Sequence, residues 1–122
     1  MKLSIIVVFA LCIALAGCTA KAPSADQIMS ALETRIKKDN PGATAKLTDI
    51  EMVENGRTTK FKFDCLNCKL TASSGSKEVI PSAKGEGSVW LDPQDKKWKF
   101  YDASIENEDG SKDFLSFGDH TF

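Results

Sequence analysis

The chain has 122 residues, enough for one small domain and too few for two. Its 16 basic and 17 acidic side chains nearly balance, which argues against nucleic-acid binding and against a polybasic membrane patch. A chain of this size buries only a modest core, so a covalent cross-link would help to stabilise it.

The start of the chain has the layout of a secretory signal. Lys2 supplies a positive charge, and an almost unbroken apolar run follows over residues 5–13. That run is too short to cross a bilayer comfortably, so a spanning helix is not predicted. It is followed by Leu15-Ala16-Gly17-Cys18, which resembles the lipobox of bacterial lipoproteins. The resemblance implies that residues 1–17 are a signal peptide that is removed, and that Cys18 carries lipid on its sulfur.

The implied lipidation predicts that the protein is attached to a membrane. Fatty acids such as palmitate on Cys18 and on its new amino group would supply two or three acyl chains, which anchor stably where a single chain is marginal. Residues 18–23 then form a lipidated tether to the membrane, and residues 24–122 form a single small domain. The alternative is a plain signal peptide or anchor helix in which Cys18 occurs by chance.

Thr19 favours one membrane over the other. In enterobacteria-like systems, an aspartate directly after the lipidated cysteine resembles a signal for inner-membrane retention, and this chain has Thr19 there. If the cell is Gram-negative, we therefore expect outer-membrane placement, with the domain facing the periplasm.

An amphipathic helix is predicted over about residues 25–39. Ser24 and Gln27 fit the two members of an N-terminal capping box, and Asn40-Pro41-Gly42 ends the helix. One apolar stripe recurs at three- and four-residue spacing and consists of Ala25, Ile28, Met29, Leu32 and Ile36.

The pattern beyond the helix changes to strands. Asn55-Gly56 is a strong signal for a two-residue hairpin turn, but Leu47 is then out of phase with the other apolar residues of its strand. We therefore predict a β-bulge near residues 48–49. The predicted pairs are Ile50 with Phe61, Met52 with Thr59, and Leu47 with Phe63.

Cys65-Leu66-Asn67-Cys68 is interpreted as a second tight turn. Its predicted pairs, all on the face of Ile50 and Met52, are Cys65 with Cys68, Phe63 with Leu70, and Phe61 with Ala72. Cys12 is lost with the signal and Cys18 carries lipid, so Cys65 and Cys68 are left together. In an exported protein such a pair is expected to form a disulfide. A redox site or a zinc site is the alternative, although the flanks lack a thiolate-stabilising helix start and a zinc site needs four ligands.

The rest of the chain is predicted to complete an antiparallel sheet. Residues 73–77 form a loop, and Pro81 is expected to interrupt any strand at Val79 and Ile80. Strands follow over residues 84–91 and 97–106, separated by a turn at 92–95. Residues 107–113 are interpreted as an acidic loop, and Phe114, Leu115 and Phe117 as an apolar cluster that docks the tail.

One helix followed by four or five antiparallel strands predicts a two-layer α+β domain, with the helix stripe on one sheet face. The order of elements is similar to that of cystatin-like and NTF2-like lipoprotein domains, in which a sheet curls around a helix. This resemblance is one of architecture and assigns no functional residues.

Aromatic side chains are concentrated on two adjoining predicted strands. Trp98 and Phe100 point one way and Tyr101 the other, so one set is expected to face away from the helix unless a bulge reconciles them. Trp90, Trp98 and Tyr101 are therefore the candidate binding surface, with ordinary core packing as the alternative.

No catalytic set or cofactor motif accompanies these features. His120 is the sole histidine and is interpreted as a solvated tail residue. The acidic residues over 102–113 lack the spacing of a calcium loop, and Gly85 and Gly87 lack the partners of a phosphate loop. We therefore expect no metal and no cofactor.

Two functions fit this sequence. The first is a non-enzymatic binding module at the bacterial envelope, which recognises a protein or a cell-wall component through its sheet. The second is a small-molecule carrier or enzyme with a pocket between helix and sheet, as in NTF2-like domains. The predicted inward set, which has no charged member, disfavours the second and consists of Ile28, Leu32, Ile36, Phe61, Phe63 and Leu70. A thiol–disulfide enzyme is a further alternative.

Overall fold

The computed structural model describes residues 21–122, so the predicted signal peptide, Cys18 and the first part of the tether lie outside the described residues. Within this part of the chain, one helix precedes one antiparallel sheet in the strand order β1-β2-β3-β4-β5, which confirms the α+β class. The elements are α1 (Ala25–Asp39), β1 (Thr44–Val53), β2 (Thr58–Thr71), β3 (Lys77–Leu91), β4 (Trp98–Glu106) and β5 (Lys112–Phe114).

Helix α1 begins at the predicted capping box. The Ser24 hydroxyl accepts from the Gln27 backbone N–H at 3.2 Å, and the Gln27 side chain accepts from the Ser24 N–H at 2.8 Å. These two bonds satisfy donors that a helix start leaves unpaired. The buried residues of α1 belong to the same hydrophobic core as the buried side chains of the sheet. We call the side of the sheet that carries this core the inner face, and the opposite side the outer face.

The predicted inward set is buried. Its members, each at most 3% exposed, are Ile28, Leu32, Ile36, Phe61, Phe63 and Leu70. These six apolar side chains therefore form part of the core on the inner face, as predicted.

The first hairpin has the predicted register. Ile50 lies opposite Phe61 and Met52 opposite Thr59, and the register shifts at Thr48 so that Leu47 faces Phe63. The β-bulge is therefore confirmed. The turn between β1 and β2 places Glu54, Asn55 and Gly56 at positive φ, the conformation that lets two strands reverse direction within a few residues.

The predicted second turn is wrong, because β2 continues without interruption through Cys65 and Cys68. Phe63 lies opposite Leu47 and Gly85 rather than Leu70, and Phe61 lies opposite Ile50 and Gly87 rather than Ala72. Only Asn67 has positive φ in this segment. A single left-handed residue kinks a strand, whereas the reversal at residues 54–56 uses three.

Strand β3 has a matching irregularity opposite this kink. The inward pairs Cys65–Ala83 and Cys68–Ile80 are separated on each strand by two residues that are not buried. Pro81 occupies one of these positions, and β3 continues through it, so the predicted interruption is also wrong. Proline lacks an N–H, and it is tolerated because the kink at Asn67 takes its ladder position out of regular pairing. We call this irregularity of β2 and β3 the sheet corner.

Strand β4 contains a bulge at Tyr101. Ser88 pairs with Asp102 and Val89 with Phe100, which leaves Tyr101 as the extra residue. The bulge reconciles the two aromatic sets, because Trp98 now shares the inner face with Ala103.

The C-terminal tail folds back onto the domain. Phe117 stacks on Phe100 with ring centroids 3.6 Å apart, and the Phe122 N–H donates to the Trp98 carbonyl at 2.9 Å. Leu115 and Phe117 pack against the core as predicted, but Phe114 is 75% exposed. Side chains alternate in extended backbone, so Phe114 of β5 points to the outer face while its neighbours point inward.

Thr59 is a buried polar residue on the inner face. It is 3% exposed, and its hydroxyl has no hydrogen-bond partner within residues 21–122. We expect Thr59→Val to raise the free energy of unfolding by about 1 kcal/mol, because valine keeps the branched shape and removes a buried unpaired group. Chemical denaturation measures this change. Thr58→Val is the matched control and should lower stability, since Thr58 donates to Glu54 at 3.0 Å; an unchanged midpoint for Thr59→Val would contradict the expectation.

Candidate interaction surface

The structure separates the three candidate aromatic residues. Trp98 is 2% exposed and belongs to the core, so its inclusion in a binding surface is corrected. Tyr101 is 66% exposed, and Trp90 is partly buried beside it. The cause is the bulge at Tyr101, which turns Trp98 inward and leaves Tyr101 outward.

Trp90 and Tyr101 form an edge-to-face pair on the outer face. Their ring centroids are 5.3 Å apart, with an interplanar angle of 64°. A contact of this type contributes roughly 0.5–1.5 kcal/mol beyond area burial. It holds the Tyr101 ring in a defined position while most of its surface stays accessible.

A shallow charged groove of about 350 Å³ adjoins this pair on the outer face. Its side chains come from all five strands and include Asp49, Glu51, Lys60, Lys62, Glu86, Ser88, Asp102, Ser104, Lys112 and Phe114. We call the pair and the groove together the outer-face surface. Opposite charges face each other across the strands, since Lys62 lies opposite both Asp49 and Glu86.

Two contacts in the groove fix its polar groups. Ser88 Oγ donates to Asp102 Oδ1 at 2.7 Å, and Lys112 Nζ lies 3.2 Å from Glu86 Oε1. Both members of the ion pair are about half exposed, so solvent screens it and its contribution to stability is small. The groove therefore presents mixed charges and hydrogen-bonding groups rather than a field of one sign.

Lys99 of β4 is the centre of a separate ion cluster with two aspartates of the turn between β3 and β4. Its Nζ lies 2.6 Å from Asp95 and 3.0 Å from Asp92. Hydrogen bonds to Asp95 and then to Asp92 raise the pKa of Lys99. The pKa of Asp92 is lowered, first by the Gln94 backbone N–H and then by Lys99. The hydrogen bond from Lys99 also lowers the pKa of Asp95. All three groups therefore stay charged at neutral pH, so the cluster stabilises the turn and is not suited to proton transfer.

Cys65 and Cys68 form a disulfide at the sheet corner. Both residues are at most 1% exposed, and their Cα atoms are 5.9 Å apart. Thiol–disulfide exchange requires a thiolate to reach one of the sulfurs, so burial opposes a redox role. Among residues 21–122, no group of three histidine, cysteine, aspartate or glutamate side chains is placed to hold a metal ion.

A second, larger groove of about 980 Å³ lies between the exposed side of α1 and the C-terminal tail. Arg35 Nε donates to the Ser116 carbonyl at 2.6 Å and joins the two walls. His120 is exposed there, with its ring centroid 4.8 Å from that of Phe122. The tail is thus packed against the domain, as the predicted docking of Leu115 and Phe117 requires, and His120 is exposed as predicted.

Sequence reasoning missed both grooves. The alternation of Lys60 and Lys62 with buried phenylalanines was a usable signal for the outer face. The turn wrongly predicted at Cys65–Cys68 ended β2 early and did not pair it with β3. Glu86 of β3, which lies opposite Lys62, was therefore not recognised as its neighbour.

Within the described part of the chain, no helix is long and apolar enough to span a membrane. Comparisons with protein-family models, with curated proteins and with solved structures each found no match to this chain.

Proposed function

We propose that this protein is a lipid-anchored lipoprotein of the bacterial envelope that acts as a non-enzymatic binding module. The anchor rests on Leu15-Ala16-Gly17-Cys18, with residues 1–17 as the signal peptide and residues 24–122 as the binding domain. In a Gram-negative cell the proposed location is the outer membrane, facing the periplasm. The proposed partner is an envelope protein or a cell-wall component.

The exposed Tyr101 ring carries the binding proposal. It is 66% exposed, braced by Trp90 and set beside a groove of mixed charge. Tyrosine and tryptophan are enriched among residues that dominate interface energies, and surrounding polar groups supply specificity. The mixed charges suit a polar protein or glycan better than a polyanion.

We also propose a cystatin-like or NTF2-like arrangement, in which the sheet curls around α1. The shared core of helix and sheet supports it. The curved-sheet pocket that NTF2-like enzymes use is occupied here by apolar side chains such as Leu32 and Phe61, both at most 2% exposed. A small-molecule function would therefore use the groove between α1 and the tail, which is the second candidate.

Site-specific photo-cross-linking in living cells tests the binding proposal. A photoreactive phenylalanine analogue at Tyr101 of the full chain is expected to give discrete adducts. The same analogue at Val79, which is 62% exposed at the other end of β3, is the matched control. Against the partner identified in this way, Tyr101→Ala should weaken affinity about 30-fold, as expected for a central aromatic residue worth roughly 2 kcal/mol.

Two results would contradict the proposal. Equal adduct patterns from Tyr101 and Val79 would show that the outer-face surface has no preferred partner. An affinity unchanged in Tyr101→Ala, with the fold intact by circular dichroism, would remove the aromatic anchor. Adducts confined to an analogue placed at Phe122 would instead favour the groove beside the tail.

A further inference from the structure

Ile50 and Met52 are apolar residues on the inner face that stay substantially exposed in the described part of the chain. They lie opposite the buried residues Phe61 and Thr59, yet they are 41% and 57% exposed. The reason is the length of α1. The Ala45 backbone N–H donates to Glu33 at 3.4 Å, so Glu33 of the helix lies beside Ala45 of β1.

Helix and strand geometry locates the point where cover ends. From Glu33 back to Ala25 the helix rises about 12 Å. A strand covers that distance in about four residues, so α1 reaches only to about residue 49 of β1. Residues 50–53 extend beyond the helix start, and we call them the uncovered end of β1.

The same end of the domain receives the tether. Pro23 is buried and Ala22 packs against the core, so the folded domain already begins within the predicted tether. Five residues lead from Cys18 to Pro23, and extended chain of that length spans at most about 18 Å. A domain of about 100 residues is wider than this, with a radius of gyration of about 13 Å. An acylated Cys18 therefore keeps the surface around Pro23 within about 18 Å of the membrane, which excludes contact between the far side of the domain and the lipid.

We infer that the uncovered end of β1 rests on the phospholipid surface, with Ile50 and Met52 among the lipid headgroups. This inference depends on the lipidation of Cys18 proposed above. Flexible methionine and branched isoleucine side chains suit an irregular apolar boundary. The contact need not bind by itself, because the anchor makes it intramolecular and gives it a high effective concentration.

The charges around this end explain why apolar contact dominates. Glu51 and Glu54 oppose Lys21 and Arg57 in sign, and all four are exposed. The contact is therefore expected to depend little on salt, unlike that of a polybasic patch. Ile50 and Met52 lie on the face opposite to Tyr101, so the outer-face surface stays available to a partner.

Lipid-based quenching of a fluorophore tests this orientation. The full chain carrying Met52→Cys is processed in bacteria, and mass spectrometry first establishes acylation of Cys18. Cys65 and Cys68 are joined to each other, which leaves the introduced thiol at position 52 to take a bimane label. The protein is reconstituted at low density in phosphatidylethanolamine–phosphatidylglycerol vesicles containing brominated lipid, and Val79→Cys serves as the control of similar exposure.

We expect the label at position 52 to be quenched several-fold more strongly than the label at position 79. Adding Ile50→Glu to the labelled Met52→Cys chain should abolish the difference while acylation and the fold are retained. Equal quenching at both positions in an acylated chain would overturn the inference and leave the lipoprotein proposal standing. The label at position 52 could instead be shielded from solvent more strongly as protein density rises, with no quenching by the lipid. That result would overturn the inference in favour of contact with a second copy of the chain. An unacylated mature chain would refute the proposed anchor and the inference together.

Discussion

Gly87→Ala is expected to destabilise the domain by about 3 kcal/mol or more, the upper end for overpacking a close-packed site. A Cβ at this position would overlap the backbone carbonyl oxygen of Asp102 and lie 2.7 Å from Phe61 Cζ. A backbone atom of a paired strand cannot move aside without breaking the β3–β4 ladder. In a domain of this size the melting temperature should fall by at least about 12 °C, measured by calorimetry or circular dichroism.

Gly85→Ala provides the matched comparison. A Cβ at Gly85 would overlap the ring of Phe63, with no backbone atom among its three nearest neighbours. Phe63→Leu should therefore rescue Gly85→Ala, so that the double variant is more stable than the two single effects added together. Phe61→Leu should not rescue Gly87→Ala, because the Asp102 carbonyl remains. Equal rescue in both pairs, or a stable Gly87→Ala variant, would show that the backbone contact is not the cause.

Removal of the disulfide by Cys65→Ala with Cys68→Ala is expected to lower the free energy of unfolding by about 2–4 kcal/mol. The small loop that the bond closes accounts for about 2 kcal/mol through the entropy of the unfolded chain. Loss of buried sulfur from the core adds the remainder. In guanidinium denaturation the midpoint should fall while the slope with denaturant stays nearly unchanged.

Reduction provides the control for this variant. Because both cysteines are at most 1% exposed, the native disulfide should resist reductant and react only on unfolding. Wild-type protein that is unfolded, reduced and refolded in reductant should lose about 2 kcal/mol, the part due to the cross-link, and remain more stable than the double alanine variant because it keeps both buried sulfur atoms. An unchanged midpoint in the variant would exclude a stabilising role at the sheet corner. Rapid reduction of the native protein by a mild dithiol would instead favour the redox alternative.

Local patterns predicted the parts of the fold in which neighbours in sequence decide the outcome. The capping box at Ser24 follows from residues three positions apart, and the hairpin with its bulge at Thr48 follows from one turn and the two strands that directly flank it. A side-chain period of two leaves few registers that keep Phe61 and Phe63 inward. These features can therefore be predicted without knowing which residues distant in sequence they contact.

The same local reasoning failed at Cys65–Cys68. Two cysteines three residues apart fit a tight turn as well as they fit a continuous, kinked strand. A disulfide between them is compatible with either structure. The pairing of β2 with β3 on both sides of Asn67, Leu66 with Ser82 and Cys68 with Ile80, decides for the continuous strand, and it involves residues distant in sequence. The exposure of Tyr101 had a similar origin, because its bulge depends on the pairing of β4 with β3.

Taken alone, the sequence determined the helix with its caps, the first hairpin with its bulge, the α+β class and the pairing of the two cysteines. These depend on hydrophobic period, turn chemistry and the count of available thiols, all of which are local or compositional. Only the tertiary structure decided that Trp98 is core and that Tyr101, Ile50 and Met52 are exposed. The physical reason is that the burial of a side chain depends on which other elements pack over it. Here the length of α1 decides the exposure of Ile50 and Met52, and the pairing of β4 with β3 decides which aromatic residues face the core.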